Sequence, residues 1–206
     1  MSIEELLEIL LDDKPSTKLR ERKEELFSLI PELRICDGFD QHSEWHQYDV
    51  LEHIFHVVDN VDPTIELRLA ALFHDIAKPE TCEIDSEGRG HFPNHGGKSA
   101  KVFSEFAMEH KLSKKQINII YRLIKHHDDY LYDSKKRKRV KGAFSKDEIE
   151  LVYEIQTADL RAQCEDCQYL LDDYKKGKEI ILSMYEGSKG NEYHIWFRWS
   201  YLTGKS

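Results

Sequence analysis

Apolar and polar positions along this chain follow a helical period almost everywhere. Residues 2–11 set leucine and isoleucine on one face and acids on the other, which predicts a short amphipathic helix. Residues 17–30 predict a second, ended by Pro31. Over residues 49–60, Val50, Ile54, Val57 and Val58, followed by Val61, form a core stripe. Asp62-Pro63 reads as a helix start, a cap residue with proline in the first turn, and the helix through IELRLAALFHDIA stops before Pro79. Residues 80–95 are irregular, and their SEGRG predicts a turn or short hairpin. Another helix is expected over 96–110. Ser113 with Gln116, and Ser145 with Glu148, read as capping boxes opening helices at 114–127 and 146–163. A last helix is expected over 168–185. The aromatic tail (Tyr193, Trp196, Phe197, Trp199, Tyr201) is expected to plug against the body. The sum is an all-α helical bundle with one short loop or hairpin insertion, one domain over 1–206.

Composition narrows the class. The 206 residues suit one domain of ordinary size. A formal charge of −9 argues against a protein whose main task is coating nucleic acid, though it leaves room for a local basic patch. No apolar run approaches the about 20 residues of a membrane helix. The acidic, amphipathic start MSIEELLEIL is not a secretory signal, so a cytoplasmic location is expected. Four cysteines in a chain this long make no disulfide framework. Cys164 and Cys167 form a lone CxxC, read as part of a helix face rather than a redox or metal pair.

Histidine is the outlier: 11 residues, ten of them between His42 and His127. His74-Asp75 ends a helix of core-type residues, where two adjacent polar side chains are costly unless something satisfies them. A divalent metal does so, and imidazole with carboxylate suits Mn, Ni, Fe, Co, Mg or Zn. Asp49, His53 and His56 recur at i, i+4 and i+7 on one helix, with His53 beside the apolar stripe. Asp159 comes late in the helix LVYEIQTADL. His91 and His95 flank FPN, and His126-His127-Asp128 closes a long helix. Histidines at the ends of several helices are how a bundle assembles a metal site from facing elements. His42 and His110 read as surface residues and His56 as a helix-face residue; His46 reads equally as surface or site.

The order of these pieces resembles the HD superfamily of metal-dependent phosphohydrolases: a His, then His-Asp, then a distant Asp. More narrowly, PELRICDGFDQHSEWHQYDVLEH, LRLAALFHDIAKPET, GRGHFPNHGGKSA, LIKHHD and TADLRAQ are similar to the HD domain of bacterial CCA-adding tRNA nucleotidyltransferases, over roughly residues 31–165. The paired carboxylates and glycine-rich turn of a polymerase head have no counterpart among the 206 residues, so nucleotide addition is not the expected activity. Ala77 stands where the family has glycine.

The resemblance implies a metal held by His53, His74, Asp75 and Asp159. It implies hydrolysis of a phosphate ester of a nucleotide or related small molecule, of the 2′,3′-cyclic phosphodiesterase or nucleotide phosphatase type. Asp75, Lys78, His95 and His127 are the expected catalytic groups; His46, His91, His95, His126 and His127 are the expected substrate contacts. His95 and His127 would hold a second metal or face the phosphate; one metal with both facing substrate is the preferred form, and spacing favours His127 over His126. Lys78 reads either as a phosphate partner or as a lysine placed by the helix dipole. The run Lys135, Lys136, Arg137, Lys138, Arg139, Lys141 reads as a solvated loop that could contact RNA. Two rival functions remain: a non-catalytic module binding RNA or nucleotide, and a triphosphate or pyrophosphate hydrolase, which would need more cations around its pocket.

Overall fold

Capping chemistry sets most helix boundaries. The computed structural model describes residues 1–163 and 169–186. The CxxC cysteines and the aromatic tail lie outside them. Ser2 caps α1 (Ile3–Leu10) in a capping box with Glu5. The helix expected over 17–30 is two helices, α2 (Pro15–Glu21) and α3 (Lys23–Leu29), because Arg22 leaves helical geometry at φ −108° and ψ 29°. A 3₁₀ turn follows over Pro31–Cys36. Asp49 caps α4 (Val50–Asn60) by accepting from the Glu52 amide.

The next boundary differs from expectation at both ends. Thr64, not Asp62, caps α5 (Ile65–Phe73). The Asp62 amide instead donates to the Glu154 carboxylate. The helix also ends four residues earlier than expected. His74–Ala77 form a turn, and α6 (Lys78–Thr81) begins there with Pro79 in its first turn, where the missing N–H costs nothing. The irregular segment contains the hairpin β1 (Glu83–Ile84) and β2 (Gly90–His91), paired Glu83 to His91 and Ile84 to Gly90.

Both capping boxes are present. Ser113 and Gln116 open α8 (Lys114–Lys125), which follows α7 (His95–Glu109). Ser145 and Glu148 open a 3₁₀ turn leading into α10 (Ile149–Arg161), and α11 spans Leu171–Glu186. The basic run, expected as loop, is the helix α9 (Ser134–Ala143). Asp133 caps it by accepting from the Lys135 and Lys136 amides, while Val140 is its one buried residue, so it carries no apolar period for sequence reading to detect.

Helix α5 is the central strut, packed against α1, α4, α7, α8 and α10. Its apolar residues Leu67, Leu69, Ala70, Leu72 and Phe73 join one continuous core. Leu6, Leu10, Leu19 and Leu26 of the first three helices are fully buried in that core, although they precede the stretch that resembles the family. No helix among the described residues is long and apolar enough to cross a membrane. The central strut therefore delivers its C-terminal end, His74-Asp75, into the middle of four surrounding helices.

Candidate metal centre

Five chain segments converge on Asp75. His53 comes from the middle of α4 and Asp159 from late in α10. His74 caps α5, His95 begins α7, and His127 follows the end of α8. All six side chains are buried, with Asp75 only 1% exposed. The turn carrying Asp75 is clamped from outside: the Ala77 amide donates to Ser99 Oγ at 3.1 Å, and the Cys36 thiol donates to the Ile76 carbonyl.

The two oxygens of Asp75 face different partners. Oδ2 lies 3.1 Å from His74 Nε2, 3.4 Å from His53 Nε2 and 2.7 Å from Lys78 Nζ. Oδ1 lies 3.2 Å from His95 Nε2 and 3.5 Å from His127 Nε2. The remaining spacings are equally close. His53 Nε2 is 3.0 Å from Asp159 Oδ1 and 3.4 Å from His74 Nε2, while His95 and His127 bring their Nε2 atoms within 3.1 Å. Two groups able to hold an ion result: His53, His74 and Asp159 on one side, and Asp75, His95 and His127 on the other.

Three of the rings are aimed by the backbone. His74 Nδ1 donates to the Ala71 carbonyl at 2.7 Å, His95 Nδ1 to Phe92 at 2.8 Å, and His127 Nδ1 to Ile124 at 2.7 Å. With the proton on Nδ1, each Nε2 presents its lone pair to the centre, the arrangement that metal-ligating histidines adopt. Gly96 makes the second group possible. A Cβ there would sit 3.1 Å from the Lys125 carbonyl and 3.2 Å from that of Ile124, so glycine lets the start of α7 reach the end of α8. Asn94, at φ 56°, turns the chain so that His95 opens the helix.

Electrostatics mark the centre as cation-seeking. Burial opposes ionisation of Asp75 and Asp159, yet the facing histidines, and Lys78 for Asp75, hold both carboxyls well below the usual range. Burial likewise opposes the charged forms of the rings. Even so, Asp75 raises His127 to about 9, and Asp159 with Asp75 raises His53. Burial wins at His74, which is lowered. The carboxylates thus favour positive charge at the centre, met by protons on His53 and His127 or by a cation that displaces them from Nε2. Asp75 Oδ1 still has no hydrogen-bond partner although it is fully buried. That orphaned oxygen, with inward Nε2 lone pairs around it, fits a divalent metal of the kind bound by mixed nitrogen and oxygen donors.

A cavity of about 270 Å³ opens above the cluster, lined by His46, Asp75, Lys78, His91, Phe92, His95, His127, Asp128, Tyr130 and Asp159, among others. Gly90 donates its amide to the His42 carbonyl at 2.9 Å, which holds the hairpin against the segment carrying His46. Lys78 Nζ also donates to Gln41 Oε1 at 2.7 Å, a buried partner that sequence reading missed. Burial lowers His46 to about 3, so its ring is neutral. His91 lies at the rim, 60% exposed and bonded to Asp85 at 2.9 Å. His126 is turned away: its Nδ1 pairs with Asp129 at 2.8 Å, its ring packs edge-on against Phe144, and it does not line the cavity. Asp49 is occupied as a cap, and His56 stacks on Tyr48 at 4.1 Å. Phe92 and Tyr130 were also missed. Tyr130 directly follows the HHDD run, a position that could have flagged it.

Helices carrying His, His-Asp and Asp around one buried cluster define a divalent-metal centre of the HD type. The HD domain family matches residues 46–161, more than half of the chain, and the chain belongs to it. It is similar to the CC-adding tRNA nucleotidyltransferase of Thermus thermophilus, with 31% identity over 144 residues, 66% of this chain and 33% of that protein. It is also similar to the A-adding tRNA nucleotidyltransferase of Deinococcus radiodurans, with 31% identity over 104 residues, 48% of this chain and 24% of that protein. The chain thus spans a third or less of the length of these relatives.

Proposed function

We propose that this chain is a phosphohydrolase cleaving the phosphate ester of a nucleotide or related small molecule. The observation that carries the reading is the Asp75 carboxylate, buried at the floor of a cavity with one oxygen toward each histidine group. His53, His74, Asp75 and Asp159 would hold one divalent ion. Asp75, His95 and His127 offer a second position beside it. Where the sequence favoured a single metal, the two adjacent donor groups support a reading with two ions, Asp75 standing between them. A bound ion supplies Lewis acidity and a water of lowered pKa.

The chain's own groups do the positioning. Lys78, the lysine on the cavity wall, holds Asp75 through its ammonium and presents positive charge to a phosphoryl oxygen. The backbone-anchored Nδ1 atoms of His95 and His127 fix those rings as ligands, which leaves His46 and, at the rim, the Asp85-bonded His91 as the histidines that line the cavity without serving as ligands. The helices around the cluster exclude bulk water from its floor.

Cavity size and charge favour a small substrate with one phosphate. About 270 Å³ is at or below the lower end of ordinary ligand pockets. A triphosphate would need more than Lys78 to meet its charge. Three of the six α9 cations already have protein partners, which weighs against the whole run serving as an RNA surface: Lys136 with the Asp128 carbonyl, Arg137 with that of Leu131, and Arg139 with Asp129.

The test is hydrolysis of 2′,3′-cyclic AMP, AMP and a generic phosphodiester with added Mn, Ni, Co or Mg, beside Asp75→Ala. Metal-dependent turnover absent from the variant is expected. A metal-bound wild type that cleaves nothing would favour a binding module.

A further inference from the structure

Tyr130 stands on the cavity wall beside Asp75, Asp159, Lys78, His95 and His127. Three contacts lock its ring. Lys136 Nζ sits 3.9 Å from the ring centroid, Tyr132 stacks at 5.4 Å and 13°, and Tyr174 meets it edge-on at 6.1 Å. The backbone around it is held as firmly. Gln156 accepts from the Leu131 amide at 3.1 Å and donates to the Asp129 carbonyl at 2.9 Å. Lys136 donates to the Asp128 carbonyl at 2.7 Å. Helices α9, α10 and α11 thus converge on one phenol, yet its hydroxyl hydrogen-bonds to no described residue.

The side-chain donors on the wall around that hydroxyl are few: besides Lys78 and His91 they are His46 and Gln163. Asp75, Asp128 and Asp159 are acceptors and repel an anion. Lys78 already serves Asp75 and Gln41, and His91 serves Asp85. Burial, with the charges of Asp159 and Asp128, pushes the phenol well above its ordinary value, so it keeps its hydrogen. A fixed neutral O–H among carboxylates is a donor that a phosphate can use and that the protein does not.

We propose that Tyr130 is a substrate-binding residue of this site, its hydroxyl donating to a non-bridging oxygen of the phosphoryl group. This rests on the phosphohydrolase reading. It also assigns the α9 basic run a local task, holding the Tyr130 loop in place through Lys136, Arg137 and Arg139. Tyrosine positions the phosphate rather than protonating the leaving oxygen, because so weak an acid gives little proton transfer near neutral pH.

The experiment is calorimetric titration of Mn-loaded protein with inorganic phosphate, in wild type, Tyr130→Phe and Tyr132→Phe, alongside ester hydrolysis. Phenylalanine keeps the ring and its packing, so the fold and metal content should match wild type. The expected result for Tyr130→Phe is phosphate affinity weakened about 10-fold, the scale of one hydrogen bond to a charged group, with KM raised in parallel and kcat little changed. Tyr132→Phe, off the cavity wall, should leave both unchanged. Equal phosphate affinity in Tyr130→Phe and an active wild type would overturn this assignment alone. A metal-loaded wild type that neither binds phosphate nor cleaves an ester would overturn the phosphohydrolase reading, and this assignment with it.

Discussion

Helix α9 and the centre around Asp75 both crowd ionisable side chains into a short space, and they resolve the crowding in opposite ways. In α9 most cations have protein partners: the Asp128 and Leu131 carbonyls, the Asp129 carboxylate, the rings of Tyr130 and Tyr185. Lys135 and Lys138 are exposed and form no ion pair with a described residue. At the centre, four imidazoles and two carboxylates surround an oxygen that has no hydrogen-bond partner, in full burial. Charge density alone is therefore a poor guide to a site. A buried donor set that the protein does not itself satisfy is the better one, because leaving such groups unpaired costs about 1–3 kcal/mol each unless a ligand meets them.

The largest effect should follow from breaking the centre at its shared group. Asp75→Ala removes a neighbour from both ion positions. Metal content by mass spectrometry should fall for both, and turnover should fall by at least about 10²–10³-fold, the scale for losing one electrostatic partner of a reacting charge.

Gly96→Ala separates the two halves of the centre. Its Cβ would sit 3.1 and 3.2 Å from the Lys125 and Ile124 carbonyls, so the end of α8 must give by a few tenths of an ångström. Overpacking of this kind costs about 1–3 kcal/mol, read as a lowered midpoint of urea unfolding. Affinity at the His95 and His127 position should drop more than at the His53, His74 and Asp159 position.

Arg139→Ala tests the satisfied region. Arg139 is 56% exposed, so its pairing with Asp129 is worth at most about 1 kcal/mol. Burial works against the Asp129 carboxylate, but His126 and Arg139 outweigh it and lower it from 3.8. The stability this contributes is full above pH 3.8 and is lost as pH falls through the lowered folded value. Thermal melts of the variant should therefore lose less stability than wild type on acidification below pH 4, with metal content at neutral pH unchanged. The smallest effect belongs to Lys138→Ala, which should change stability by under about 0.5 kcal/mol.

Legibility followed the same division. His53, His74, Asp75 and Asp159 stood out because they sit in or at the end of apolar helical stretches and because their order resembles the HD superfamily's; His95 and His127 stood out at helix ends and by the same resemblance. The split of Asp75 between two groups was not readable, since it depends on Gly96 bringing two helix termini together across 32 residues from His95 to His127. The orientation of His126 depends on Asp129, a contact three residues on that no periodicity announces. Helix α9 was missed because its stabilising contacts are polar and individual. The early end of α5 was missed because proline can open a helix as well as close one.

The most direct test is to strip the protein of metal, return Mn stepwise, and follow ions bound per chain together with hydrolysis of 2′,3′-cyclic AMP and AMP. Turnover that rises with occupancy, reaches its plateau at two ions per chain and disappears in Asp75→Ala is the expected result. Ions bound at the centre with no ester cleaved at any occupancy would contradict it.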